Sequence, residues 1–132
     1  MAERRDLVLP ELSAPVSHYA HVVRRGPFVF VSGLLGDDAG GNIVAPGDVV
    51  AQTRQVLENM RAALSAAGAA PADVVKVTVY LRDVSHRARI NPARREFFGQ
   101  TLPASTLVEI SRLVADDALV EIDAVAIVDT TS

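Results

Sequence analysis

Residues 48–81, DVVAQTRQVLENMRAALSAAGAAPADVVKVTVYL, decide the fold because their apolar pattern changes from a helical period to a strand period. Asp48 is a favourable helix N-cap, and Gly68 supplies a C-terminal stop. Between them, small and apolar side chains recur every three to four residues, which predicts a long helix with one buried face. That face comprises Val49, Thr53, Val56, Leu57, Met60, Ala63, Leu64 and Ala67.

The end of the same stretch, VKVTVYL at residues 75–81, alternates strictly between apolar and polar side chains. β-Branched residues at a period of two are typical of a strand that buries one face. The face expected to be buried comprises Val75, Val77, Val79 and Leu81. The stretch therefore predicts a helix followed by a strand.

Further elements extend this pattern on both sides. Residues 28–31 (FVFV) predict a buried strand, residues 42–44 a short strand, and residues 106–113 and 119–128 two more strands. Asn91 is interpreted as the N-cap of a short second helix, with Pro92 at its first position. The order β, β, α, β, α, β, β predicts an α+β fold, with two helices on one face of a mixed sheet of four to six strands.

Composition sets limits on the class of protein. The chain has 132 residues, a length that predicts one globular domain over residues 1–132. Its net charge is −3. The absence of cysteine excludes disulfides, thiolate nucleophiles and iron–sulfur clusters. The N-terminus shows no secretory signal and no apolar run is long enough for a membrane helix, so we expect a cytoplasmic protein without membrane contact.

Nucleic-acid and metal binding find little support in the residues. The mild acidity gives no footprint for nucleic acid, and the one basic cluster is interpreted as a solvated helix face. That cluster comprises Arg87, Arg89, Arg94 and Arg95. His18 and His21 have a spacing that would suit a metal on a helix, but their segment is extended. We therefore expect neither a metal site nor a nucleic-acid partner.

Six segments, in order and suitably spaced, resemble the Rid (RidA/YjgF) family. They are FVFVSG at residues 28–33, the helix from residue 51, VVKVTVYLRD, INPARREFF, LPASTLVEISRL and VEIDAVAIV. The resemblance implies a chorismate-mutase-like α+β fold and a homotrimer with clefts between subunits. Residues 28–31 and 124–128, apolar on both sides, independently favour burial of the second sheet face in an oligomer. The implied activity is hydrolysis of reactive enamines and imines to a keto compound and ammonia, without a cofactor.

The resemblance also implies roles for individual residues. Tyr19 corresponds to a tyrosine that lines the cleft and contacts the substrate, which makes it a catalytic candidate together with Glu121. Ser32 and Gly33 correspond to a Ser-Gly pair whose glycine backbone approaches the ligand. Asn91 matches an asparagine near the second helix. Leu107 lies where the family offers a backbone N–H to a substrate carboxylate. Glu121 matches the acid that positions the attacking water, and a desolvated glutamate would suit that role.

One departure from the family pattern puts the activity in question. The active enamine deaminases read Pro-Ala-Arg-Ser, and the arginine grips the substrate carboxylate; here Ser105 takes its place. Arg24 is the candidate replacement, since the segment around it resembles the 2-aminomuconate deaminase branch. Two hypotheses follow: a deaminase of a 2-aminoacrylate-like or 2-aminomuconate-like substrate, or an inactive trimer that binds a small metabolite or acts as a regulatory, chaperone-like protein.

Overall fold

In the computed structural model, which describes residues 3–129, the chain forms two α-helices and a mixed six-stranded sheet. The sheet order is β1-β2-β3-β6-β4-β5; β4 and β5 are parallel and the other neighbours antiparallel. The elements are β1 (Arg4–Leu7), β2 (Val22–Arg25), β3 (Phe28–Leu35), α1 (Val49–Ala66), β4 (Val74–Leu81), α2 (Arg87–Phe98), β5 (Ala104–Glu109) and β6 (Val120–Ile127). The predicted α+β class is confirmed, and β1 and β2 are additional strands that the sequence did not predict.

Helix α1 forms as its pattern predicts. The Asp48 carboxylate accepts a hydrogen bond from the Ala51 N–H, and Gly68 has a positive φ just beyond the helix end. The apolar face contacts β3, β6 and α2 and lies in the hydrophobic core. Gln52 is also fully buried there; its side chain donates to the Ala45 and Asp117 carbonyls and accepts from the Leu119 N–H. The helix therefore anchors the loops as well as the sheet.

Strand β4 differs from the prediction at its N-terminal end. Val77, Val79 and Leu81 are buried as expected, but Val75 is exposed and Val74 is buried instead. The pairing of β4 with β6 shifts register between Val74 and Lys76. Because an irregularity of this kind changes which side chains face the core, strict alternation assigned Val75 to the wrong face.

Helix α2 begins earlier than predicted, so Asn91 is not its N-cap. A short 3-10 turn at Val84–His86, in which Asp83 accepts from the Ser85 N–H, leads directly into the helix at Arg87. Pro92 therefore lies inside the helix, where it removes the hydrogen bond to the Ala88 carbonyl. Ala88 is exposed, so water can satisfy that carbonyl.

The remaining strands agree with the prediction in position more than in length. Strand β6 matches residues 119–128 closely, whereas β5 ends at Glu109 rather than at residue 113. Residues 42–44 contribute a single bridge between Asp37 and Ile43 instead of a strand. Strand β3 continues through the Ser-Gly pair to Leu35.

The two faces of the sheet are unequally covered. Val29 and Val31 are buried on the helix side, whereas Phe28 and Phe30 on the opposite side are 47% and 48% exposed. The registers place Phe30 beside Val125 and Phe28 beside Ile127, so apolar side chains of β3 and β6 form a continuous patch. We call the side of the sheet opposite the helices the outer face. Within residues 3–129, no helix is long and apolar enough to span a membrane.

Candidate active site

A cavity of about 410 Å³ lies at the end of strands β3 and β6, with the segment from Leu12 to Tyr19 as one wall. Four side chains or backbone positions selected from the sequence line it together: Tyr19, Ser32, Gly33 and Glu121. Glu121 reaches it from the outer face, because Val120 and Ile122 on either side are buried beneath the helices. The Glu121 carboxyl group thus enters the cavity from the face of the sheet that the helices leave uncovered, whereas Asn59 of α1 lines another part of the cavity.

A local irregularity in β3 brings the Glu121 carboxylate against the backbone. The pairing of β3 with β6 shifts register between Val31 and Leu34, and Ser32 and Gly33 lie in that shift. A Cβ on Gly33 would come within 2.6 Å of Glu121 Oε2, closer than any side chain can pack. Gly33 therefore makes room for the carboxylate at the cavity surface. The neighbouring Ser32 hydroxyl donates to the Ala20 carbonyl at 2.6 Å and fixes this turn of chain.

The surroundings of Glu121 favour its protonated form. Desolvation by burial, and secondarily the negative charge of Asp123 on the same face, raise the pKa of the Glu121 carboxyl. Within residues 3–129 the carboxylate has no hydrogen-bond donor to counter this. Tyr80 donates instead to Asp123 Oδ2 at 3.1 Å, and desolvation together with that bond raises the pKa of Tyr80. Glu121 is thus a carboxyl group available to a ligand or a water.

His21, which the sequence suggested only as an unconvincing metal ligand, holds the cavity wall in place. The side chain is 3% exposed; Nδ1 accepts from the Leu9 N–H at 2.8 Å, and Nε2 donates to the Ser13 carbonyl at 2.8 Å. These bonds require the neutral tautomer with hydrogen on Nε2. A lone histidine between Ala20 and Val22 was the signal in the sequence, but its partners lie 8 and 12 residues away.

A second network holds the same wall segment at Ser13, the residue whose carbonyl accepts from His21. Asp37 accepts from the Ser13 hydroxyl at 2.7 Å and from the Asn59 amide at 3.2 Å, and Asn59 also donates to the Leu35 carbonyl. Asp37 and Asn59 both line the cavity and were not selected from the sequence. Asn59 lies on α1, so these bonds join the helix layer to the wall segment.

Arg24, the expected replacement for the family arginine, does not line this cavity. It lies in β2, and its guanidinium donates to the Gly26 carbonyl at 3.0 Å and to the Ala67 carbonyl at 2.7 Å. Ala67 is the C-cap of α1, where a positive charge is favourable. In this chain Arg24 therefore stabilises a helix end.

The other three substrate-binding candidates lie elsewhere in the chain. Asn91 is in α2, and Leu107 and Ser105 are in the edge strand β5. Ser105 Oγ accepts a hydrogen bond from Arg94 Nη2 at 2.9 Å. Arg94 is half-buried, so it is not part of a fully solvated basic face as the sequence suggested. Within one chain, the candidates thus form two groups that lie apart. The cavity is lined by Tyr19, Ser32, Gly33 and Glu121, and the second group comprises Asn91, Ser105 and Leu107.

The chemistry available at the cavity is that of a carboxyl group with a raised pKa in a partly apolar setting. Among residues 3–129, no group of three or more histidine or acidic side chains could hold a metal ion. Leu12, Val16 and Val114 supply apolar surface around the polar groups. The arrangement can bind a small organic molecule and place one water beside it.

Comparison with known proteins identifies relatives over most of the chain. Residues 11–128 match the family described as Endoribonuclease L-PSP. A RutC family protein of Pyrococcus horikoshii is 44% identical over 112 residues, covering 85% of this chain and 88% of that protein. The 3-aminoacrylate deaminase RutC of Acinetobacter baylyi is 38% identical and covers 92% and 97%. A 2-iminobutanoate/2-iminopropanoate deaminase of Dermatophagoides farinae is 30% identical and covers 98% and 100%.

Solved structures show the same fold. The YjgF gene product of E. coli has a TM-score of 0.84 at 32% identity, covering 93% of this chain and 98% of that one. E. coli TdcF, solved with bound serine, has a TM-score of 0.86 at 31% identity and covers 95% and 99%. The chain belongs to the Endoribonuclease L-PSP family, which includes the RutC and RidA/YjgF proteins.

Proposed function

We propose that this protein is an enamine/imine deaminase that hydrolyses a small reactive intermediate, 2-aminoacrylate-like or 2-aminomuconate-like, to a keto compound and ammonia. The observation that carries the proposal is the Glu121 carboxyl group, whose raised pKa and position against Gly33 suit the handling of one water. Two of the relatives carry deaminase names, for 3-aminoacrylate and for 2-iminobutanoate/2-iminopropanoate.

Hydrolysis of an enamine or imine requires few catalytic groups. An enamine takes a proton from solvent at carbon to become an iminium cation, whose carbon is electrophilic. The Glu121 carboxylate accepts a proton from water as the oxygen bonds to that carbon, giving a neutral carbinolamine. The Glu121 carboxylic acid then gives that proton to the nitrogen, and as the C–N bond breaks the hydroxyl proton returns to the carboxylate, so ammonia leaves and a carbonyl remains. A carboxyl group with a raised pKa is suited to both directions of this transfer. Tyr19 supplies a wall against which the substrate is oriented.

The site is completed by further copies of the chain in this proposal. The outer face carries the apolar patch that includes Phe28 and Phe30, and burial of such a patch favours assembly. In a homotrimer, the edge strand β5 of one copy would meet the cavity of the next. Ser105, Leu107 and Asn91 would then face the neighbouring Tyr19 and Glu121 across a cleft between subunits.

A second candidate function rests on a specific residue. Ser105 stands where the resemblance places a carboxylate-binding arginine, and a hydroxyl cannot supply that charge. A trimer that has lost the reaction and only binds a small metabolite would keep the cavity and lack turnover.

Ammonia release from 2-aminoacrylate, generated in situ by a serine dehydratase, tests the two. We expect the natural protein to accelerate release and Glu121→Gln to lose about 10²- to 10⁴-fold, the usual contribution of a general acid–base group. Ser105→Arg serves as a matched gain-of-function variant. Acceleration by Ser105→Arg alone, or by neither protein, would favour the binding function.

A further inference from the structure

Arg94 differs from the other arginines in how it is buried and paired. Within residues 3–129 the half-buried arginines are Arg24 and Arg94. Arg24 donates to two backbone carbonyls, whereas among residues 3–129 Arg94 has one hydrogen bond, to the neutral Ser105 hydroxyl, and no carboxylate partner. A guanidinium has five N–H donors, so most of those on Arg94 stay available.

The electrostatics of Arg94 point to an anion. Burial lowers the pKa of the Arg94 guanidinium, and no negative charge in the described part of the chain, residues 3–129, offsets that effect. Arginines removed from water are normally paired with an acidic group. Arg54 on the neighbouring helix, by contrast, lies near Glu96, although both are more exposed. Arg94 is therefore a half-buried cation for which residues 3–129 supply no anionic partner.

The Arg94 side chain extends from α2 to the edge strand β5, where it meets Ser105. Ser105 pairs with Val77, whose side chain is buried beneath the helices, so Ser105 also points to the helix side of the sheet. Arg94 reaches Ser105 from α2 across that side. Glu121 lies on the outer face, and β4 separates its strand from β5. A small ligand cannot touch both groups within one chain.

We propose that Arg94, oriented by Ser105, binds the carboxylate of the substrate in a cleft shared with a second copy of the chain. This inference rests on the proposed deaminase function and narrows it to enamines and imines that carry a carboxylate. The planar guanidinium can donate two parallel hydrogen bonds to one carboxylate, and its single positive charge balances the single negative charge of that group. The positive charge thus comes from helix α2, and the residue at position 105 supplies an acceptor that steadies it.

Binding and turnover together test this assignment. Arg94→Gln removes the charge and keeps a similar length, and Arg95→Gln, on the adjacent exposed position, is the matched control. We expect Arg94→Gln to raise KM for 2-aminoacrylate, and the Kd for 2-oxobutanoate measured by NMR titration, by about 30-fold or more. Arg95→Gln should change neither by more than about twofold. Neutral butanone should bind the natural protein and Arg94→Gln alike.

The outcomes separate this inference from the proposed function. Equal behaviour of Arg94→Gln and Arg95→Gln in an active protein would overturn the role of Arg94 and leave the deaminase function standing. An inactive natural protein that binds 2-oxobutanoate through Arg94 would overturn the deaminase function and support the anion site. Failure of 2-oxobutanoate to bind the natural protein would overturn the site. Recovery of binding in Arg94→Gln/Ser105→Arg would support it, because the charge returns to the same place.

Discussion

The Gly33 α-carbon lies so close to Glu121 that a Cβ would meet the carboxylate at 2.6 Å from Oε2 and 2.7 Å from the carboxyl carbon. Glu121 pairs with Leu35 in the sheet, and its side chain extends to Gly33, which lies in the register shift between Val31 and Leu34. The position of the acid is thus fixed by backbone shape rather than by hydrogen bonds.

Gly33→Ala should displace the Glu121 carboxylate and lower the rate of imine hydrolysis by about 100-fold, since a shift of about 1 Å can cost that much. Gly33 does not have a positive φ, so an alanine backbone is tolerated and the effect comes from the contact. Steady-state kinetics with circular dichroism as a folding check would measure it. Gly40→Ala is the control, because its Cβ meets the flexible Asn42 amide at 3.2 Å. Equal rates for the two variants would contradict the role of Gly33.

Asp123→Asn should move the acid limb of the pH–rate profile to lower pH. Desolvation first, and the Asp123 charge second, raise the pKa of Glu121; removing the charge lowers that pKa. Because Glu121 must be ionised to accept a proton from water, activity falls as the pH drops through its pKa. The variant therefore keeps activity at a more acidic pH than the natural protein. Asp116→Asn, an exposed position, should leave the profile unchanged. A limb that moves to higher pH would refute this assignment.

Glu121→Gln should stabilise the protein at neutral pH while lowering activity. A carboxyl group whose pKa is raised by folding contributes most stability below its unfolded pKa, and that contribution is lost as pH rises through the folded pKa. A neutral amide avoids this loss, so the gain in melting temperature should be larger at pH 7 than at pH 4. Thermal unfolding at both values measures it. A variant less stable than the natural protein at pH 7 would show that the charged form is favoured by folding.

His21→Leu should destabilise the fold, because it strands the Leu9 N–H and the Ser13 carbonyl in a buried position. Each unsatisfied group costs about 1–3 kcal/mol. The change in free energy of unfolding is measured by urea denaturation. His18→Leu, at an exposed position, is the matched control and should lie within about 0.5 kcal/mol of the natural protein. Similar stabilities of the two variants would argue against His21 as the anchor of the cavity wall.

Phe30→Glu should dissociate the proposed trimer, since the apolar patch of the outer face would then carry a charge. Burial of one such aromatic side chain contributes about 1.5–3 kcal/mol. Light scattering after gel filtration should give three times the mass of one chain for the natural protein and one chain for the variant. Glu11→Gln, an exposed change away from the patch, is the control. A natural protein that is monomeric would contradict the shared cleft.

The sequence by itself determined the elements whose signals are local. The helical spacing of residues 49–67 and the cap at Asp48 predict α1, and the apolar run of residues 119–128, interrupted by Glu121 and Asp123, predicts β6. These features depend on side chains that are a few positions apart, so the amino-acid sequence is enough to predict them. The motif matches also identified the four residues that meet at the cavity, among them Gly33 and Glu121.

The tertiary structure decided what depends on register and on packing between distant segments. The shift at Val74–Lys76 reversed the face of Val75, and the 3-10 turn before Arg87 moved the start of α2 past Asn91. The sequence does not show that Arg24 and Arg94 have different hydrogen-bond partners. Arg24 of β2 donates to the Ala67 carbonyl at the end of α1, whereas Arg94 of α2 donates to Ser105 of β5 and has no counter-charge among residues 3–129. Spacing along the chain cannot reveal such neighbours, because only the folded backbone brings them together.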